Sequence, residues 1–104
     1  MAAPAILDVI VFKDGNLMNG RVLTYSFPIK TSYGEIVVKK KDIANIHMRG
    51  IQFSTDQIIT LDLNRFKGSL QEKIIRIKLS DGQSVEVAKN KINTIMMLTN
   101  YQTN

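Results

Sequence analysis

A single histidine, no cysteine and nine scattered carboxylates limit the chemistry open to this 104-residue chain. His47 stands alone, so neither a histidine dyad nor a two-histidine metal site can be assembled within one chain. Without cysteine there is no thiolate ligand and no disulfide framework, which leans toward a reducing compartment and a cytoplasmic location. Asp8, Asp14, Glu35, Asp42, Asp56, Asp62, Glu72, Asp81 and Glu86 are spread along the chain rather than paired in a pocket motif. The serines lie in turns with no nucleophile elbow, and no P-loop or G-x-G-x-x-G run occurs. The expectation is a protein that is not an enzyme, with no catalytic residue, no metal and no cofactor. What remains is charge. Fourteen Lys and Arg against nine Asp and Glu give a net charge of +5 and a pI near 9.6, which favours polyanions through phosphate neutralisation. The run Lys39-Lys40-Lys41 reads as a phosphate-contacting edge or, with more weight, as a solvated strand end that blocks edge-to-edge aggregation.

The elements that position these charges read as strands almost throughout. "ILDVIVF", "RVLTYSF", "EIVV", "IIRIKL" and "VEV" are short, β-branched and bounded by Gly, Asp or Asn. Asp14-Gly15, Tyr33-Gly34 and Asp81-Gly82 mark turns, because positive φ is cheapest there. The best helical candidates are the ends, "APAIL" and "TIMMLTNYQ", and neither shows two full amphipathic turns with caps. No apolar run approaches the roughly 18 residues of a membrane span, and "MAAPAILDVI" lacks the basic region of a signal peptide. A soluble single domain with no membrane role is expected, since a chain of this length builds one modest core.

Compared with itself, the chain repeats. At a separation of 48, Asp14, Asn16, Gly20, Ile29, Lys30, Ser32 and Gly34 fall on Asp62, Asn64, Gly68, Ile77, Lys78, Ser80 and Gly82. One inserted residue makes the separation 49, and Lys40, Ile43, Ile46 and Met48 fall on Lys89, Ile92, Ile95 and Met97. Met18 with Phe66, Val22 with Leu70, Ile36 with Val85 and Val38 with Val87 keep their character. A unit this short cannot bury its own face, so the copies are expected to share a core or pair with neighbouring chains. Most of these residues are what a duplicated β framework needs in any case.

The stretch "FKDGNLMNGRV" has the layout apolar, Lys, polar, Gly, three residues ending apolar at Met18, Asn19, Gly20, x, apolar. It resembles the first half of the Sm motif, and "HMRGIQF", with Met48, Arg49, Gly50 and Phe53, resembles the second half. The resemblance covers residues 6–56, with residues 57–104 as a second copy of the roughly 48-residue unit, in one domain spanning 1–104. It implies an all-β fold, a small, strongly bent antiparallel Sm-like (SH3-like) barrel with extra strands from the internal repeat. Gly20 would sit where a bent strand needs a residue without Cβ, and Gly15 in the connecting turn. Sm-like chains close rings by pairing the fourth strand of one subunit with the fifth of the next, here "EIVVKK" and "IQFS". The partners implied are the chain itself, as a cyclic homo-oligomer, and single-stranded RNA.

The sequence departs from the Sm pattern where a base is read. Ser26 holds the usual Asp position and Ile29-Lys30 the Met-Asn positions, so the base-reading Asn is absent and uridine specificity does not carry over. In the ring the resemblance implies, Phe27, Lys30, Arg49 and Gly50 form a collar at the pore. Phe27 would offer a stacking face or pack in the core, and Lys30 would contact a phosphate or stand solvated. Arg49 would supply a phosphate fork and a stacking plane, while Gly50 would let the backbone approach the nucleotide. Two function classes stay open: an Sm-like RNA-binding ring, and a structural or scaffold β-barrel of a phage or cell assembly with no nucleic-acid role.

Overall fold

The computed structural model describes residues 7–101. Ten strands are present: β1 (Asp8–Phe12), β2 (Leu17–Val22), β3 (Ser26–Thr31), β4 (Gly34–Lys39), β5 (Ile43–His47), β6 (Asp56–Thr60), β7 (Arg65–Leu70), β8 (Ile74–Lys78), β9 (Ser84–Ala88) and β10 (Ile92–Met96). Turns of 3-10 helix at Lys40–Asp42 and Lys89–Lys91 precede β5 and β10, and a third 3-10 segment spans Leu98–Tyr101. The chain is all-β, and no α-helix occurs among the described residues. "TIMMLTNY" is therefore the end of β10 plus a 3-10 turn rather than a helix, because Ile95 and Met97 are drawn into the β core, and the final Gln102 of that candidate lies outside the described residues. "APAIL" lies outside the described residues except for Leu7. "RVLTYSF" is not one strand but two ends, since the chain leaves β2 at Val22 and enters β3 at Ser26.

All strands belong to one antiparallel sheet in the order β4-β3-β7-β6-β5-β10-β1-β2-β8-β9. The order is palindromic when each strand is exchanged for the one five places along the chain. The centre of the palindrome is the β5–β10 pair, where Ile46 stands opposite Ile95, its own counterpart 49 residues away. Each half of the sheet draws strands from both halves of the chain. The hairpin β3–β4 pairs with β7, through Ile29 opposite Leu70 and Lys30 opposite Ser69, and β8–β9 pairs with β2, through Val22 opposite Ile77 and Arg21 opposite Lys78. The core follows the same relation. Its sixteen buried residues fall into eight pairs separated by 48 or 49, from Ile10 with Ile58 to Met48 with Met97. Each such side chain contributes about 2 kcal/mol by leaving water.

Gly20 and Gly68 mark the points where a strand changes partner. Residues up to Gly20 pair with β1, and those beyond it pair with β8. A Cβ on Gly20 would lie 2.5 Å from the Lys78 carbonyl oxygen, and one on Gly68 would lie 2.0 Å from that of Lys30. Only glycine lets the two backbones cross so closely.

The turn after β1 places Gly15 at φ +92, whereas Leu63, its counterpart after β6, adopts φ 70. A β-carbon in that conformation is strained by about 1–2 kcal/mol, and the Leu63 side chain is largely exposed. Leu63→Gly is expected to raise stability by up to about 1 kcal/mol once the extra chain entropy of glycine is subtracted. Thermal unfolding checks it, and an unchanged or lower midpoint rejects strain at this turn.

The strands expected to close a ring are placed differently. "EIVVKK" falls on β4, a free edge of the sheet. "IQFS" is not a strand, and both edges of β5 are already paired, with β6 and β10. The fifth strand of the structure is thus already paired on both edges within the chain, and residues 51–54 form no strand.

Candidate functional site

Each half of the sheet is anchored by a buried carboxylate. Asp8 begins β1, and its Oδ2 accepts a hydrogen bond from the Val22 N–H at 2.9 Å and an ion pair from Lys40 Nζ at 2.9 Å. Asp56 begins β6, and its Oδ2 takes the Leu70 N–H at 2.8 Å and Lys89 Nζ at 2.6 Å. Burial would raise both carboxyls, but the lysine ammonium and the N–H donors outweigh it and hold each below its ordinary value of 3.8. A carboxylate with a depressed folded-state pKa stabilises the protein above its unfolded-state value, and that contribution disappears as pH falls through the folded-state value. The unfolding midpoint is therefore expected to hold from neutral pH to about 4 and to drop steeply below it. A midpoint that stays level down to pH 2 would reject these pairs as stabilising.

The remaining oxygens of the two carboxylates are used differently, and there the likeness of the halves breaks down. Asp8 Oδ1 accepts from the N–H of Thr99 at 3.0 Å and from its hydroxyl at 2.7 Å. The neighbouring Asn100 Nδ2 donates to the carbonyls of Lys40 and Ile43 at 2.6 and 2.7 Å. The 3-10 segment Leu98–Tyr101 thus seals this end of the molecule. Around Asp56 the counterpart segment is residues 49–52, which must turn away to reach β6. Asp56 Oδ1 accepts only the Arg49 N–H, at 2.8 Å, among the described residues.

The result is an open cleft of about 760 Å3 around Asp56, lined by Lys13, Arg49, Lys73 and Lys89 with polar Ser54, Thr55, Ser69, Gln71 and Asn90. A second lobe of about 560 Å3 shares Lys13, Met48 and Arg49 with it and adds Gly50, Ile51, Gln52, Phe53 and Asn93. Of the four cations only Lys89 has an acidic partner among the described residues. Phe53 stacks on His47 with centroids 5.1 Å apart, which tethers the 49–55 loop to β5. Burial first, and then the charge of Arg65, keep the His47 pKa below 6.5, so the ring stacks in its neutral form at neutral pH.

Of the residues singled out in the sequence, Arg49 and Gly50 line this cleft. Lys30 is exposed on β3, opposite Ser69 of the cleft wall. Phe27 is fully buried in the core, so its ring offers no face to a base; its inward position on β3 decides it. The four do not form one collar. Lys13, Lys73 and Lys89 are not recognisable as site residues in the sequence, because they come from separate segments that meet only on folding. Asp56 was within reach: the 48-residue separation carried upstream from Asp14 matches it to Asp8.

No cluster of three or more His, Asp or Glu that could hold a metal ion occurs among the described residues. No helix among them is long and apolar enough to cross a membrane. Comparison with protein-family models, with curated proteins and with solved structures finds no match.

Proposed function

We propose that this protein binds single-stranded RNA without turning it over, in the cationic cleft beside Asp56, on a scaffold built from two Sm-like (SH3-like) units that arose by internal duplication. The observation that carries the reading is the cleft itself: Lys13, Arg49 and Lys73 have no acidic partner among the described residues and face one polar groove. Three unpaired cations in one groove of a chain with net charge +5 form an electrostatic footprint suited to a phosphate backbone. The strand order supports the Sm-like reading, since β10-β1-β2-β8-β9 places first, second, third, fourth and fifth strands of the repeat unit in the order 5-1-2-3-4.

Arg49→Ala and Lys73→Ala are each expected to weaken binding of short RNA oligomers about tenfold at low salt and to reduce the salt slope by about one. Fluorescence anisotropy across a salt series measures both quantities. An unchanged slope, or no binding by the parent protein at low salt, rejects the reading.

The scaffold alternative rests on the two free edges, β4 and β9. An even number of antiparallel strands lets β9 of one copy continue onto β4 of the next with the alternation intact, which would generate a ring or filament. Light scattering after size exclusion separates the readings: assembly with no RNA retention favours the scaffold.

A further inference from the structure

The two free edges of the sheet, β4 and β9, are counterparts in the repeat but differ in what they offer a neighbour. The Lys40 N–H donates to the Tyr25 carbonyl, and hydrogen-bonded pairs recur every second residue along the β3–β4 ladder. Ile36 and Val38 therefore turn their main-chain groups toward β3, whereas Glu35, Val37 and Lys39 aim theirs outward. Those three N–H and three C=O groups face no strand among the described residues. The side chains of Glu35, Val37 and Lys39 are exposed on the outer face, while Val38 is buried and Ile36 half-buried. Neither Glu35 nor Lys39 has an ion-pair partner among the described residues, and Lys39 Nζ rests 5.6 Å from the centroid of the Tyr25 ring. On β9 the corresponding outward positions are Ser84, Glu86 and Ala88.

A strand added to β4 must satisfy both its backbone and its charges. A second β4, antiparallel and related by a two-fold axis through Val37, does both: Val37 faces its own copy, Glu35 faces Lys39 and Lys39 faces Glu35. Each position is then a hydrogen-bonded pair, which uses the three N–H and three C=O groups of either copy and sets opposite charges across from each other twice. On the inner face Ile36 stands opposite Val38 of the second copy, extending the apolar lip of a groove of about 360 Å3 that Ile36, Val38, Leu61 and Phe66 help to line. Registers with β9 are poorer. A second β9 centred at the corresponding position sets Glu86 against Glu86. Pairing β4 with β9 so that Val37 meets Glu86 leaves Glu35 and Lys39 opposite Ala88 and Ser84. A shift that brings Lys39 to Glu86 carries Glu35 past the end of β9, and the opposite shift sets Glu35 against Glu86. Glu86 is also held by Arg76 of β8 at 3.3 Å.

We propose that the free edge of β4 is a self-recognition surface, and that a second copy of this chain pairs with it in that register to form a two-fold symmetric dimer. Lys39 repels a basic strand and admits this one because its copy brings Glu35. The contact is isologous, so assembly stops at two rather than growing head to tail through β9. β4 lines neither lobe of the cleft, so the dimer is independent of RNA binding.

Sedimentation equilibrium from low to high micromolar protein is expected to show a reversible dimer, twice the chain mass of 11.7 kDa. Glu35→Lys and Lys39→Glu each set like charges across the axis twice, and each is expected to raise the dimer dissociation constant about tenfold, with the double variant returning to the parent value. Glu86→Lys is expected to change nothing. All of these side chains are exposed, so the unfolding midpoint measured at a concentration where the protein is monomeric serves as the check that each variant folds. A parent protein that stays monomeric, a mass that grows beyond two chains, single variants without effect, or a folded double variant that stays dissociated overturns the inference. Weakened assembly in Glu86→Lys also overturns it and assigns the join to β9 on β4.

Discussion

Asp56→Ala is expected to lower the stability of the protein by about 3–5 kcal/mol, the range for breaking a buried ion pair from one side. The substitution removes the acceptor of the Leu70 and Arg49 N–H groups and leaves Lys89 without its counter-charge. The Leu70 N–H lies where water reaches poorly, so its lost partner is not replaced at full value. A domain of this size has only about 5–15 kcal/mol to lose. Lys89→Met in the Asp56→Ala background is expected to recover part of the loss, because it removes the stranded ammonium while keeping the apolar stem. Urea unfolding of the two variants and the parent measures this. A cost below about 1 kcal/mol for Asp56→Ala would place the pair among weak surface bridges and reject its role as the anchor of β6 on β7.

Gly68→Ala is expected to be comparably severe for a different reason. The added Cβ would sit 2.0 Å from the Lys30 carbonyl oxygen and 2.8 Å from its carbon, both backbone atoms that no rotamer change can move. Relief requires β3 to shift off β7, which breaks the short junction of Ile29 with Leu70 and Lys30 with Ser69. We expect a loss of about 3 kcal/mol or more, the upper end for overpacking, accompanied by faster amide exchange at the β3–β7 junction. Gly20→Ala presses on the Lys78 carbonyl at 2.5 Å and should cost somewhat less. Gly50→Ala is the control, with open space around the new methyl group, and should be neutral. Equal stability of the Gly68 and Gly50 variants would contradict the crossing geometry.

The open cleft was only half legible beforehand. Arg49 and Gly50 announce themselves as a charged residue beside a glycine between two apolar segments, and both line the cleft. Lys13 and Lys73 look like ordinary solvated strand-end lysines, because nothing local distinguishes a cation that will face a groove from one that will face bulk water. Phe27 lies in an alternating stretch whose inward face is set by register, and the sheet places it in the core.

The sequence by itself determined that the chain is a β protein, where most of its hairpins turn and which residues recur at the separation of 48 or 49. Period-2 apolar alternation, β-branched composition and turn residues act within a few positions of one another, so no knowledge of the fold is needed to read them. Gly20 belongs to this class as well, since a glycine inside a strand pattern signals a bend or a close backbone approach. Only the tertiary structure decided which edges pair. The two halves of the chain offer nearly equivalent hairpins, and alternation fixes the face a residue takes but not the partner its strand chooses. Exchange of β3–β4 and β8–β9 between the halves, and the joining of β5 to β10 across the Ile46–Ile95 centre, therefore had no local signature. The asymmetry that opens one carboxylate site and seals the other arises at the same level. One counterpart segment continues into β6, while the other, past β10, folds back on Asp8 and places Thr99 and Asn100 where the cleft has none.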